Sequence, residues 1–370
     1  MILVAFRNLF QNKIRLVISV GGVALALLLI LALDAVFSGV EQQVTAYIDY
    51  SGADVFVSQE GVRNMHMASS ALSASVASKV KAVSGVASVT PILYVTNVVV
   101  ADEERNLAYI IGLPPNAAMG GPWRVVAGER IPSDGEAIID AGVAEKSGIG
   151  LGDEVKILGE EFTVAGLSDG TATLINSVAF ISKRDFAKLR GDPGTVSYLL
   201  VKVEPGGSPE RVAARIEAQV SEVTAQTRPA FAAQERRVIK DMSTDVIAIM
   251  NLTGFLIGMA VMALTVYTAT LSRRAEYGVL KALGARNGHL YRTVLAQALI
   301  SVALGFGLGL AFTLLLAAIV PQLGTNLSLL ISGASLVKVS LVSLVIAAFS
   351  AILPIRQIAG LDPAMVFRGK

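Results

Sequence analysis

The sequence predicts a membrane protein: four transmembrane helices with a large extracytoplasmic α/β domain between the first and the second. Three observations carry this expectation. Hydrophobic residues make up 53% of the 370-residue chain and charged residues only 16%, against about 25% charged in an ordinary soluble protein. Four segments stay almost free of charge over the roughly 20 residues that a helix needs to cross a bilayer. Between the first two of them, residues 38–244 alternate strand and helix signals and are numerous enough for a sizeable core in two lobes.

Taken in order, residues 1–13 place Ile2, Leu3, Phe6, Leu9 and Phe10 on one helical face, with Arg7, Asn8, Gln11 and Asn12 largely on the other. This is either an amphipathic helix at the cytoplasmic membrane surface or a plain extension of the first span. The first span covers 14–37. Its uncharged run, Leu16 to Leu33, exceeds the roughly 7–15 apolar residues of a signal peptide, and no small-x-small cleavage site follows, so a retained anchor is expected.

In the 38–244 domain, Asp54–Gln59, Val89–Val100, Asn106–Gly112, Glu136–Asp140, Asp153–Leu158, Glu161–Leu167, Val178–Ser182 and Tyr198–Val203 read as strands. Leu72–Val83 and Pro209–Val220 read as helices. Gly159 sits where a hairpin reverses, and the runs 112–115 and 120–122, rich in Gly and Pro, are expected to join the lobes. The remaining spans are 245–272, 290–320 and 335–355, with a connecting segment at 273–289, a short external loop at 321–334 and a tail at 356–370.

Orientation follows from basic residues. Arg7, Lys13 and Arg15 precede the first span, Arg273, Arg274, Lys281, Arg286 and Arg292 separate the second from the third, and Arg356, Arg368 and Lys370 follow the fourth. Only Glu276 and Asp362 oppose them. The positive-inside rule makes these regions and both termini cytoplasmic.

Several functions are excluded. A net charge of +2 gives no argument for a nucleic-acid partner, and the absence of cysteine rules out disulfides, thiolate metal sites and thiol nucleophiles. No Gly-x-x-x-x-Gly-Lys-Ser/Thr loop is present, so any ATP is hydrolysed by another polypeptide. Gly305, Gly307 and Gly309 lie within a span, where small residues favour close helix packing. Glu129, Asp134, Glu136 and Asp140 cluster in sequence, but alternation along strands scatters them onto solvated faces.

Other residues leave two readings open. Gly254 and Gly258 form a Gly-x-x-x-Gly contact either with a second copy or within one subunit. Asp34, near the outer end of the first span, meets substrate or a partner helix, or reaches interfacial water. Met65-His66-Met67 is a packing feature or a set of haem ligands. No metal site is expected.

The segment 273–289 carries the most specific signal. Tyr277, Leu280, Leu283 and Ala285 recur at roughly helical spacing among Arg273, Arg274, Glu276 and Lys281, and Gly278 and Gly284 permit close approach or a turn. A plain return loop needs only charge. Charge anchoring alone explains the arginines, whereas a surface helix that docks something in the cytosol also explains Glu276, the glycine spacing and the apolar side; the residues alone leave both readings open. "RRAEYGVLKALGARNGHLYR" resembles the signature of the FtsX-like permease family, which includes MacB, LolC and DevC-type subunits. Arg274, Glu276, Gly278, Leu280, Lys281, Ala282, Leu283, Gly284 and Ala285 match its core or nearly so. Phe6-Arg7-Asn8-Leu9 and the stretch from Pro354 to Ala364 resemble the family's opening and ending, so the likeness covers the whole chain.

The resemblance implies a non-catalytic membrane subunit of an ABC transporter in the bacterial cytoplasmic membrane, and a MacB-type periplasmic core as the external domain. It implies two cytosolic ATPases that bind ATP and Mg, a second permease copy or paralogue, and coupling through 273–289. Family members work by mechanotransmission, moving an amphipathic or hydrophobic substrate: lipid, drug, peptide or haem, and the strip around Met65-His66-Met67 looks similar to one in DevC-like and haem-exporter-like permeases. The alternative is an FtsX-type scaffold that activates a cell-wall hydrolase without transport.

Overall fold

The computed structural model describes residues 13–102, 104–173, 176–323 and 327–360. The expected amphipathic helix and most of the tail therefore lie outside the described residues. The helices in chain order are α1 (Lys13–Val44), α2 (Ala46–Tyr50), α3 (Val76–Lys81), α4 (Ala141–Lys146), α5 (Lys183–Arg190), α6 (Pro209–Gln219), α7 (Arg228–Ser272), α8 (Arg274–Ala282), α9 (Asn287–Ile319), α10 (Gly333–Ser350) and α11 (Ile352–Ala359). Two compact units result. One, helical, takes residues up to Gly39, Ser243–Leu323 and the chain from Ser328 onward; the other, α/β, takes Val40–Met242.

Among the described residues four stretches are long and apolar enough to cross a membrane: Leu16–Val44, Arg228–Ser272, Asn287–Gln322 and Gly333–Ala359. The first two helices overrun the spans read from hydropathy. α1 continues past Phe37 to Val44, and α7 starts at Arg228, inside the segment assigned to the external domain. Pro229 sits in the first turn, where a missing N–H costs nothing, and neither glycine nor proline interrupts 230–253. The polar stretch from Gln234 to Asp245 changes what the helix faces without stopping it.

Inside the helical unit, α1 is approached through glycine from two sides. A β-carbon on Gly254 of α7 would stand 2.8 Å from Ile30, and one on Gly258 3.1 Å from Ala26. On α9, one on Gly305 would stand 2.6 Å from Val23 and one on Gly309 3.0 Å from the Ala24 carbonyl, whereas Gly307 meets nothing. The two Gly-x-x-x-Gly pairs are therefore occupied by α1 of the same chain. In lipid, helices associate through close packing, because the tails are as apolar as leucine.

The strands of the α/β unit are β1 (Val55–Gln59), β2 (Leu72–Ser73), β3 (Val86–Ala101), β4 (Glu104–Leu113), β5 (Val125–Gly128) and β6 (Glu136–Asp140). They continue as β7 (Glu154–Ile157), β8 (Glu160–Ser168), β9 (Ser177–Ser182), β10 (Thr195–Val196), β11 (Tyr198–Val203) and β12 (Val223–Thr227). The main sheet runs β12-β1-β11-β3-β4-β9-β6-β8-β5, with β7 against β3 and β8. Pairing is antiparallel except β4/β9 and β6/β8.

The sixteen-residue β3 joins the halves, its first part paired with β11 and its second with β4. That corrects the expected junction: Gly112 lies inside β4, and residues 114–122 connect β4 to β5 within one half. Only Val76–Lys81 of the expected 72–83 helix is helical, since Leu72–Ser73 pairs with β10 and the serines 73 and 75 favour turn geometry over helix. Leu158 and Gly159, both with positive φ, make the tight β7–β8 reversal.

Candidate functional site

α8 separates its residues cleanly. Tyr277 and Gly278 are buried, and Tyr277 packs into the helical core with Leu290, Val294 and Ile358. Glu276, Val279, Leu280 and Leu283 fall at i, i+3, i+4 and i+7 on the opposite side, with Leu283 80% exposed. The sequence reading put Tyr277, Leu280 and Leu283 on one apolar side; the helix turns the tyrosine inward and leaves the leucines outside. Arg273 Nη1 lies 3.5 Å from Glu276 Oε2, and Arg274 is exposed. Lys281 Nζ donates to the carbonyls of Ile358 and Ala359 at 2.7 and 3.2 Å, capping the end of α11. Gly284, at φ +90°, ends the turn, with its N–H on Lys281 O and that of Ala285 on Leu280 O. Of the nine residues 273–284 singled out by sequence, Tyr277, Gly278 and Lys281 hold the helix in place, Glu276, Leu280 and Leu283 form its outward surface, and Arg274 is exposed at the helix start on the Tyr277 side.

A second feature lies in the α/β unit. A cavity of about 440 Å³ is lined by Met65, His66, Met67, Tyr94, Leu158 and Arg190, among others, a size that suits a drug-sized molecule. Met65 is buried and Met67 exposed. The His66 ring has both nitrogens engaged: Nδ1 meets Glu235 Oε1, and Nε2 meets the Tyr109 hydroxyl. Burial pulls the imidazole toward its neutral form, while the Glu235 carboxylate beside it favours the charged one. Burial also raises Tyr94, to about 12, and Tyr109 further, so both stay protonated donors. Among the described residues no group of three or more His, Asp or Glu is placed to hold a metal ion.

Asp34 is paired. Its Oδ1 accepts from Lys338 Nζ of α10 at 2.6 Å, and the aspartate side chain is largely buried. Sequence reasoning missed Lys338, although a lone lysine near the start of an otherwise uncharged span was the available signal. It also missed Glu235 and Tyr109, which nothing local marks. Asp140 is not solvated: it is buried, caps α4 through the Gly142 N–H, and accepts from the Thr171 hydroxyl and the Thr171 and Ala172 amides. Asp134 is exposed and pairs with Arg184 at 3.0 Å.

Four membrane-length helices, an α/β domain between the first two, and a basic helix with an outward apolar stripe between the second and third define a multi-pass membrane protein of the permease type. The chain matches the MacB-like periplasmic core domain over residues 16–219 and the FtsX-like permease C-terminal domain over 248–363. It belongs to the MacB- and FtsX-like family of ABC transporter permeases. It is 22% identical over 400 residues to an uncharacterized ABC transporter permease of Methanocaldococcus jannaschii, covering 99% of this chain and 97% of that one. It is also 22% identical over 374 residues to one of Mycobacterium bovis, covering all of both. Among solved structures it is similar to the periplasmic region of MacB from Actinobacillus actinomycetemcomitans (13% identity, TM-score 0.39, 52% of this chain and 97% of that). It is likewise similar to the extracellular domain of the transporter YknZ from Gram-positive bacteria (14%, TM-score 0.37, 47% and 99%).

Proposed function

We propose that the chain is the membrane subunit of an ATP-driven exporter and docks a separate cytosolic ATPase through the outward face of α8. Glu276, Val279, Leu280 and Leu283 form that contact, with Arg274 exposed beside it at the start of the helix. The observation that carries the proposal is continuity. One residue separates this face from the end of α7, a helix of 45 residues and so roughly 70 Å long at about 1.5 Å per residue. The other end of α7 is buried in the α/β core through Phe231 and Ala232. A stroke delivered at α8 therefore has a stiff element to travel along.

In this reading α8 and both termini are cytoplasmic, the α/β unit lies outside a bacterial cytoplasmic membrane, and two permease chains, identical or paralogous, pair above two ATPases. The cargo is amphipathic or hydrophobic and is handled at the outer leaflet, because four spans per chain enclose a poor channel. Haem as cargo requires His66 to release Tyr109 before it can take iron. Haem added to the purified protein should leave the same spectrum with His66 and with His66→Ala, and a difference would support ligation.

The decisive test replaces Leu280 and Leu283 together by Asp. ATPase co-purification and the permease's effect on ATP turnover should both disappear, while the protein still reaches the membrane. Retention of both would overturn the docking assignment. ATP coupling with no molecule moved in vesicles would point instead to the signalling role.

A further inference from the structure

α7 brings a carboxylate, Glu235, into the α/β unit at only 1% exposure. One oxygen accepts the Met65 N–H at 2.8 Å; the other accepts the His66 N–H at 3.2 Å and meets His66 Nδ1. All of these bonds go to one short stretch of loop, 169 or 170 positions away in sequence. One helical turn earlier, Phe231 stacks on Phe56 at 4.8 Å and meets Tyr198 edge-on at 6.0 Å. The Tyr198 hydroxyl donates to the carbonyl of Asn64 at 3.2 Å. The loop is thus fixed from two sides, and both routes lead to α7.

The same loop is a wall of the 440 Å³ cavity, where Met65–Ser70 face Tyr94, Val95, Thr96, Leu158 and Arg190. Packing alone does not call for an acid here. A buried carboxylate is expensive unless it is hydrogen-bonded, and Phe231 and Ala232 already supply apolar contact. What an acid adds is direction. Charge-assisted bonds to two successive amides fix the loop's register against the helix, whereas apolar contact tolerates slip.

We infer that Glu235 is the tie between α7 and the cavity wall. Displacement of α7 drags residues 64–66 and reshapes the cavity, and a molecule wedged in the cavity pushes on α7 in return, since coupling between two sites is reciprocal. The inference rests on α7 carrying the stroke, as proposed above.

A chain without cysteine makes the test clean. Met67→Cys, exposed on the cavity wall, is labelled with a maleimide in the intact permease–ATPase complex, first without nucleotide and then after vanadate trapping. Glu145→Cys, exposed on α4, is the control. The cavity reporter should react at rates differing by about fivefold or more between the two states. In a Glu235→Gln background that difference should vanish, with the control unaltered. Glu235→Asp, which keeps the charge but shortens its reach, should do the same and serves if the glutamine variant does not fold. A full nucleotide response in either variant overturns the tie. So does an unresponsive cavity reporter in a complex whose ATP turnover still depends on Leu280 and Leu283; that outcome leaves the docking proposal standing. If turnover does not depend on those leucines either, both proposals fall.

Discussion

The two units differ in what their interiors are made of. In the α/β unit the largest fully buried side chains include Tyr198, Phe56, Phe180, Phe186 and Phe231, and the core is made by filling space. In the helical unit, α7 and α9 come close to α1 where side chains are taken away, at Gly254, Gly258, Gly305 and Gly309. Water drives large apolar surfaces together. Lipid gives no such drive, so helices in it gain by bringing backbones close enough for dense contact. A substitution of one kind should therefore act very differently in the two places.

Adding bulk to the helical unit is the severest way to break this contrast. A leucine at Gly305 has no room, because even a β-carbon would sit 2.6 Å from Val23. Gly305→Leu should abolish accumulation of folded protein, whereas Gly307→Leu, at a position where an added β-carbon meets nothing within 4 Å, should accumulate normally. Size-exclusion profiles of the detergent-extracted chains compare the two. Removing bulk from the α/β unit is the converse. Phe231→Ala should destabilise the protein by about 3–5 kcal/mol, read as a lowered melting transition, and should expose the loop at 64–67 to protease.

Charge comes next. Lys338→Met strands Asp34 in the helical unit at a cost of roughly 1–3 kcal/mol, less than for a fully buried pair because the lysine side chain is 43% exposed. Adding Asp34→Asn should recover most of the loss. A double mutant no better than the single would mean that the pair contributes nothing as a pair.

Much of this contrast was legible in the sequence. Spans announce themselves by unbroken hydropathy, and strands such as 136–140 and 198–203 by β-branched and aromatic runs. Gly254 and Gly258 were readable as a packing face, though not as one facing α1. The losses share a cause: local pattern does not say what stands opposite. Glu235 sits among Gln234, Arg236 and Arg237 and reads as solvated, yet it is buried against a loop some 170 positions away. Asp140 looked equally exposed and is a buried helix cap. Tyr277 carries the same apolar signal as Leu283, and only the position of α9 and α11 turns one in and leaves the other out. The start of α7 was missed because hydropathy marks where lipid ends, not where a helix does.

Leu283 sharpens the comparison from its smallest effect. It is a large apolar residue left 80% exposed, so neither unit uses it for stability. Leu283→Asp should shift the melting transition by no more than about 0.5 kcal/mol equivalent, the usual range for a surface substitution, where Phe231→Ala costs several times that. If α8 presents its leucines to an ATPase, this near-silent change should still weaken ATPase retention on the permease in a pull-down. Stability lost along with retention would mean that Leu283 serves the fold, and that α8 is packed where an outward face is now assigned.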